Sequence, residues 1–231
     1  MKIALLQSNY IPWKGYFDMI DEVDHFVFYD EVQYTKNDWR NRNKIKDAHG
    51  NTQWITIPVR VEGLSQKVNE TQVASELWRK KHLKTLKACY GRAGAFKELM
   101  PLIEKWYTEI ESDMLSDINR HLILEVCRYL DIDTPITEST DYALQGDKQE
   151  RILDLCDKLN ADIYLSGPSA RTYIDVPRFQ KQGIEVEWMD YEGYPEYSQA
   201  GTHFEHGLSI LDLMFHEGGN SRNFIKRSAQ Q

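Results

Sequence analysis

Lys2-Ile3-Ala4-Leu5-Leu6 runs into Gln7-Ser8-Asn9-Tyr10-Ile11-Pro12, then Trp13-Lys14-Gly15-Tyr16-Phe17-Asp18-Met19-Ile20-Asp21-Glu22-Val23, then His25-Phe26-Val27-Phe28-Tyr29-Asp30. The first run is short and wholly apolar, as a strand buried on both faces would be. Trp13, Tyr16, Phe17, Ile20 and Val23 recur at helical spacing, and Pro12 suits the entry to a first turn. Residues 25–29 form a second apolar run. Strand, helix and strand within thirty residues predict a parallel sheet with a crossover helix.

Working outward, residues 53–59 read as a third strand ended by Pro58. From 75 to 131 the pattern is helical throughout, with segments at 75–90, 95–109 and 113–130. Gly91, Gly94 and Pro101 punctuate the first boundary, and Ser112 is placed to cap the last segment. Alternation then resumes: strand 135–138, helix 148–159, strand 162–165, helix 176–182, strand 184–189 and a closing helix at 208–215. A loose polar tail is expected after Gly218. The fold class is therefore α/β, a Rossmann-like doubly wound and mostly parallel sheet. One unit of 1–231 is expected, with an all-helical insertion over 75–131.

A chain of 231 residues can bury a substantial core. Its net charge of -8 argues against broad nucleic-acid binding. Cys89, Cys127 and Cys156 lie in apolar helical contexts without a CxxC pair, so buried thiols are expected. No leader pattern and no run of roughly 20 apolar residues is present, which predicts a soluble, cytoplasmic protein.

In a doubly wound sheet ligands bind beyond the carboxyl ends of the strands. Four polar loops occupy that edge: 7–10, 30–34, 140–147 and 166–171. Gln7 and Asn9 carry amides that can read a base, sugar or carboxamide, and Tyr10 can stack. Trp13, Phe17 and Ile20 share a helix face and read as core. Asp30 ends the second strand, where a carboxylate can take a ribose hydroxyl, although no GxGxxG accompanies it. Phosphate capture would then fall to Arg42, Lys46 or Arg171. The run from Arg40 to Lys44 suits either a solvated turn or an anion site. Ser166-Gly167-Pro168-Ser169-Ala170-Arg171 could hold an anion at a helical turn. His82 reads either as part of an exposed helix face or as a general base. His203, His206 and His216 match no zinc spacing, so no metal site is expected. Tyr191, Tyr194 and Tyr197 either wall a pocket or cover the sheet edge.

The chain resembles the WbqC-like family of bacterial proteins, found among surface-polysaccharide (O-antigen) biosynthesis genes. The resemblance rests on Gln7-x-Asn9-Tyr10-x-Pro12-Trp13-x-Gly15-Tyr16-Phe17, Asp30-x-Val32-Gln33-Tyr34 and Asn41-Arg42-Asn43-x-Ile45-Lys46. It continues through Trp78, His82, Tyr164-x-Ser166-Gly167, Tyr173, Tyr194-Pro195-x-Tyr197-x-Gln199 and Ser209-Ile210-Leu211-Asp212. Ser8 departs from the family's usual proline. The resemblance implies transfer of glycine, or another acyl or aminoacyl group, onto a nucleotide-linked amino sugar. Gln7, Asn9 and Tyr10 would orient the sugar or base, with Gln33, Tyr34, Asn41, Asn43, Ser166, Gly167, Tyr173, Tyr194 and Tyr197 around them. Arg42, Lys46 and Arg171 would hold the phosphates, and His82 or Asp30 would take the amine proton. ATP or an aminoacyl donor would be the co-substrate. A second resemblance, to HIGH-signature nucleotidyltransferases, implies an ATP-dependent ligase instead. A non-catalytic sugar-nucleotide binder is the third reading.

Overall fold

A computed structural model describes residues 1–226. Its centre is a five-stranded parallel sheet of β1 (Lys2–Leu6), β2 (His25–Phe28), β5 (Ile136–Glu138), β6 (Ile163–Ser166) and β7 (Glu185–Trp188), in the order β5-β2-β1-β6-β7. The chain builds outward from β1 to one side, then returns to its other side. The order of strands thus reverses between β1 and β6, the doubly wound arrangement expected.

Strand side chains alternate between two cores, as a period of two requires. Ala4, Phe26, Phe28 and Leu165 face one side. There they meet Phe17 and Ile20 of α1 (Lys14–Asp21), Ile118 and Leu122 of α4 (Leu115–Tyr129), and Leu211 of α7 (Ile210–Glu217). Ile3, Leu5, Val27 and Tyr164 face the other side, against Ile152 and Leu155 of α5 (Lys148–Leu159) and Phe179 of α6 (Val176–Gln180). Helices α2 (Leu77–Tyr90) and α3 (Phe96–Glu109) join the first of these cores through Trp78, Leu86, Leu99 and Ile103. All three cysteines are buried free thiols.

Several expectations need correction. The 53–59 segment is not a strand of the parallel sheet. Its strand is β4 (Thr52–Thr56), paired antiparallel with β3 (Arg42–Lys46) in a separate hairpin. Of the Arg40–Lys44 run, Arg40 and Asn41 are turn as expected while Arg42–Lys44 are strand, with Asn43 and Ile45 buried and Arg42 and Lys44 less so. Pro101 lies inside α3 rather than at its boundary. Ser112 does not cap α4; Met114 holds that position, and Ser112 instead takes the Met114 N–H at 3.0 Å. Beyond Gly218 the chain is ordered into a 3-10 turn over Gly218–Phe224, with Ser221 and Ile225 buried; the expected tail from 227 onward lies outside the described residues. Among the described residues no helix is long and apolar enough to cross a membrane.

Candidate functional site

Directly after β1 the chain turns through Tyr10-Ile11-Pro12 with Ile11 at φ 37. A β-branched residue is strained at positive φ and persists only where its surroundings hold it. Asn43 does so: its Nδ2 donates to the Tyr10 carbonyl at 3.1 Å and the Ile11 carbonyl at 2.8 Å. Backbone bonds add to the clamp, from Tyr10 N–H to Trp39 O at 2.9 Å and Ile210 N–H to Pro12 O at 2.8 Å. Replacing Asn43 with alanine leaves both carbonyls short of a donor. We expect a loss of about 2–3 kcal/mol, read as a lower urea midpoint at unchanged slope.

The clamped loop forms the floor of a cavity of about 250 Å³ lined by Asn9, Pro12, Trp13, Trp39, Asn43 and Gly207. Its lining among the described residues is two indoles, two carboxamides, a proline and a glycine, with no ionisable side chain. The Asn9 Oδ1 accepts no hydrogen bond from the described residues. Trp13 was expected in the core. It is only partly buried and packs its indole edge-on against Tyr191 and Tyr194, at 5.0 and 5.8 Å between ring centres. The same indole folds back over the start of α1, where a Cβ on Gly15 would sit 2.4 Å from it. Glycine at 15 is what lets the ring lie there.

Several predicted residues stand behind this loop rather than in the cavity. Asp30 accepts the Ser8 N–H at 2.8 Å through Oδ1, while Oδ2 has no partner among the described residues. Burial raises its carboxyl above the usual range, against the pull of the Ser8 hydrogen bonds. Asp30 thus braces the loop from the end of β2. Gln7 Oε1 accepts from Arg40 at 2.9 Å, and its backbone carbonyl accepts from Tyr16. Asn41 donates to Ile57 O.

Tyr10 and His82 are buried, not exposed. The His82 Nε2–H donates to Thr56 O at 3.0 Å, so Nδ1 accepts the Tyr10 hydroxyl at 2.7 Å, and that oxygen in turn accepts from Tyr107 at 2.5 Å. With its lone pair engaged and burial lowering its pKa to about 4, His82 is a neutral structural histidine. It does not line the cavity, and the expectation of a base there needs revision. Helical spacing alone could not distinguish a buried from an exposed histidine on α2.

Lys46 is also buried. Its ammonium donates to Gln199 Oε1 at 3.0 Å and to His203 O, beside a network in which Asp212 accepts from Tyr90 at 3.0 Å and Tyr197 at 2.8 Å. Tyr194 donates to Asp18 at 2.5 Å. Lys46, Tyr194 and Tyr197 therefore hold the 194–207 segment against α1 and the hairpin. Lys14, which the sequence reading passed over, does the same: its ammonium donates to Pro195 O at 2.8 Å among the rings of Tyr194, Tyr197 and Phe204. Burial lowers its pKa to about 8.

Ser166 ends β6, with Gly167, Arg171 and Tyr173 after it, and none of the four lines the cavity. Arg171 lies over Trp188 at 5.5 Å, and Tyr173 is exposed. Gln33 donates to Leu64 O, and the Tyr34 N–H to Gln66 O, in the loop beside η-type turn Val68–Glu70. Arg42 alone of the expected phosphate ligands stands near the cavity's outer wall, with its guanidinium 4.1 Å over Trp54, whose indole abuts Trp39. Elsewhere, Glu109, His121 and Glu125 bring possible metal-ligand atoms within 4.8 Å of one another, a grouping across α3 and α4 that linear spacing did not reveal. Glu109 is already paired with Lys105 and Glu125 with Arg128.

The sequence model of the WbqC-like protein family matches residues 7–224, from the cavity loop to the last 3-10 turn. The chain belongs to the WbqC-like family. Over its length the chain is also similar to the uncharacterized protein Rv1507c of Mycobacterium tuberculosis, 45% identical over 230 residues and covering 99% of each chain. No solved structure matches.

Proposed function

We propose that the cavity binds the sugar ring of a nucleotide-linked amino sugar, and that the protein transfers an acyl or aminoacyl group to its amine. What carries this reading is the cavity lining of two indoles and two carboxamides without an ionisable group. A pyranose offers C–H faces to indoles and hydroxyl or amine donors to a carboxamide oxygen; that of Asn43 already accepts the Lys44 N–H at 2.7 Å, which leaves the role to Asn9. Asn9 Oδ1 is an acceptor in want of such a donor.

The uncharged lining also bears on the chemistry. An ammonium transferred there is desolvated without a counter-ion, which favours the neutral amine. That form carries the lone pair that attacks the acyl carbonyl carbon. The new C–N bond forms, the donor's leaving group departs with its electron pair, and the amine's proton passes to solvent or to the leaving group. An activated donor thus needs orientation more than a dedicated base, which agrees with His82 and Asp30 standing outside the cavity. The role suggested by the family resemblance, glycine or another aminoacyl transfer in surface-polysaccharide synthesis, is of this reaction type.

The test is a mass-spectrometric search for amide product, with nucleotide-linked amino sugars as acceptors and aminoacyl or acyl donors with and without ATP. Asn9→Ala and Trp39→Ala are expected to lower turnover at least tenfold with the melting transition retained. In parallel, a bound acceptor at 100 times its dissociation constant should stabilise the wild type by about 2.7 kcal/mol. Binding without product in every donor combination would leave a carrier rather than an enzyme. Wild-type turnover in both variants would remove the cavity from the reaction.

A further inference from the structure

The strand that sends Asn43 into the cavity sends its neighbours the other way. Arg42 and Lys44 alternate to the outer face of the hairpin, where Lys44 pairs across to Trp54 and Arg42 to Thr56. Trp54 is 44% exposed and Trp39 is 39% exposed, and their rings lie 5.3 Å apart between centres. The Arg42 guanidinium covers part of Trp54 at 4.1 Å, and the Lys44 ammonium lies 5.8 Å from the same ring. Trp39 belongs to this ledge and to the cavity wall at once, so the two surfaces are continuous.

We propose that this ledge receives the nucleoside diphosphate half of the substrate, the base on the indoles and the diphosphate on Arg42 and Lys44. The assignment rests on the reading of the cavity as the sugar site. Two large indoles lie side by side and in good part exposed, and bases stack on such rings irrespective of sequence. Among the described residues neither Arg42 nor Lys44 has a carboxylate partner, and the buried Arg42 Nε has no acceptor. The neighbouring acid, Asp38, is taken by Arg40 at 3.1 Å. Two uncommitted cations in a chain of net charge -8 mark a place suited to an anion. Guanidinium forks match phosphate oxygens, and the ammonium adds a point charge. A diphosphate joined to a sugar has that sugar as its immediate neighbour, which fits the shared Trp39 wall.

The experiment is titration calorimetry of the full chain with uridine, guanosine and adenosine diphosphates, the free nucleosides, inorganic pyrophosphate, farnesyl diphosphate and a free amino sugar. Arg42→Ala is expected to weaken the preferred nucleoside diphosphate at least tenfold. Trp54→Ala is expected to weaken it at least fivefold, and to leave pyrophosphate binding unchanged. Arg42→Lys, which keeps the charge, should recover part of the loss and guards against misfolding of the alanine variant. Neither variant should alter the free amino sugar, whose binding depends on Asn9. Loss of amino-sugar binding alone would count against the cavity reading while these variants still report on the ledge. Nucleoside diphosphate affinities equal to wild type in both alanine variants would overturn the proposal. So would failure of every nucleoside diphosphate to bind, or tighter binding of farnesyl diphosphate, which would point to a lipid-linked carrier.

Discussion

Asp212→Ala is expected to cost about 3–5 kcal/mol of stability, read from urea midpoints by circular dichroism. Asp212 is fully buried at the start of α7 and accepts the hydroxyls of Tyr90 and Tyr197. Truncation strands both donors in the interior, at about 1–3 kcal/mol each. It also removes negative charge near the buried Lys46. Burial raises the Asp212 carboxyl, offset by Tyr197, His216, Tyr90 and Lys46, so its charge is held at some expense. Asp212→Asn keeps one acceptor oxygen and drops the charge, and should therefore cost clearly less than the alanine. Equal losses in the two variants would assign the effect to charge rather than to the stranded hydroxyls. A loss under 1 kcal/mol for Asp212→Ala would mean that the 197–203 segment re-pairs by itself.

The second large effect is acid sensitivity traceable to His82. In the folded state its pKa is about 4, lowered by burial, against 6.5 when unfolded. Above pH 6.5 both states hold it neutral and it contributes no pH dependence. As pH falls below 6.5 the unfolded chain takes up a proton that the folded one refuses, so stability drops. The loss reaches about 3 kcal/mol by pH 4. Other groups also respond to acid, among them Asp30, whose carboxyl is raised by burial and so acts in the opposite sense. The informative quantity is thus the difference from His82→Asn, which keeps an acceptor for Tyr10 and cannot protonate there. The wild type should lose stability more steeply than the variant between pH 6.5 and 4. Parallel curves would refute the buried, neutral assignment.

How far the sequence led depends on which signals are local. The apolar runs of β1 and β2 and the Trp13–Val23 period are local, and they were enough to predict a parallel, doubly wound sheet. The hairpin was not legible, because Arg42-Asn43-Lys44-Ile45-Lys46 carries one apolar residue among four polar ones, and only the burial of Asn43 beside Ile45 shows its inner face. Of the candidate site, Asn9 was picked out as a polar residue after the first strand and Asn43 through the family resemblance, and both line the cavity. Tyr10, His82, Lys46 and Tyr197 belonged to the same motifs but proved to be internal struts. Sequence motifs mark residues that a family keeps together without separating ligand contacts from braces. Trp39 stands directly before the Arg40–Lys44 run and Trp54 within the expected 53–59 strand, but neither was singled out as a ligand contact, since their significance comes from meeting across two segments.

The indole of Trp13 lying over Gly15 ties the shape of the cavity to the first turn of α1. A Cβ at residue 15 would stand 2.4 Å from the ring, too close for the two to coexist without movement. The ring would have to shift from its seat against Tyr191 and Tyr194. Because Trp13 also lines the cavity, a single methyl group on the helix would redraw the cavity wall.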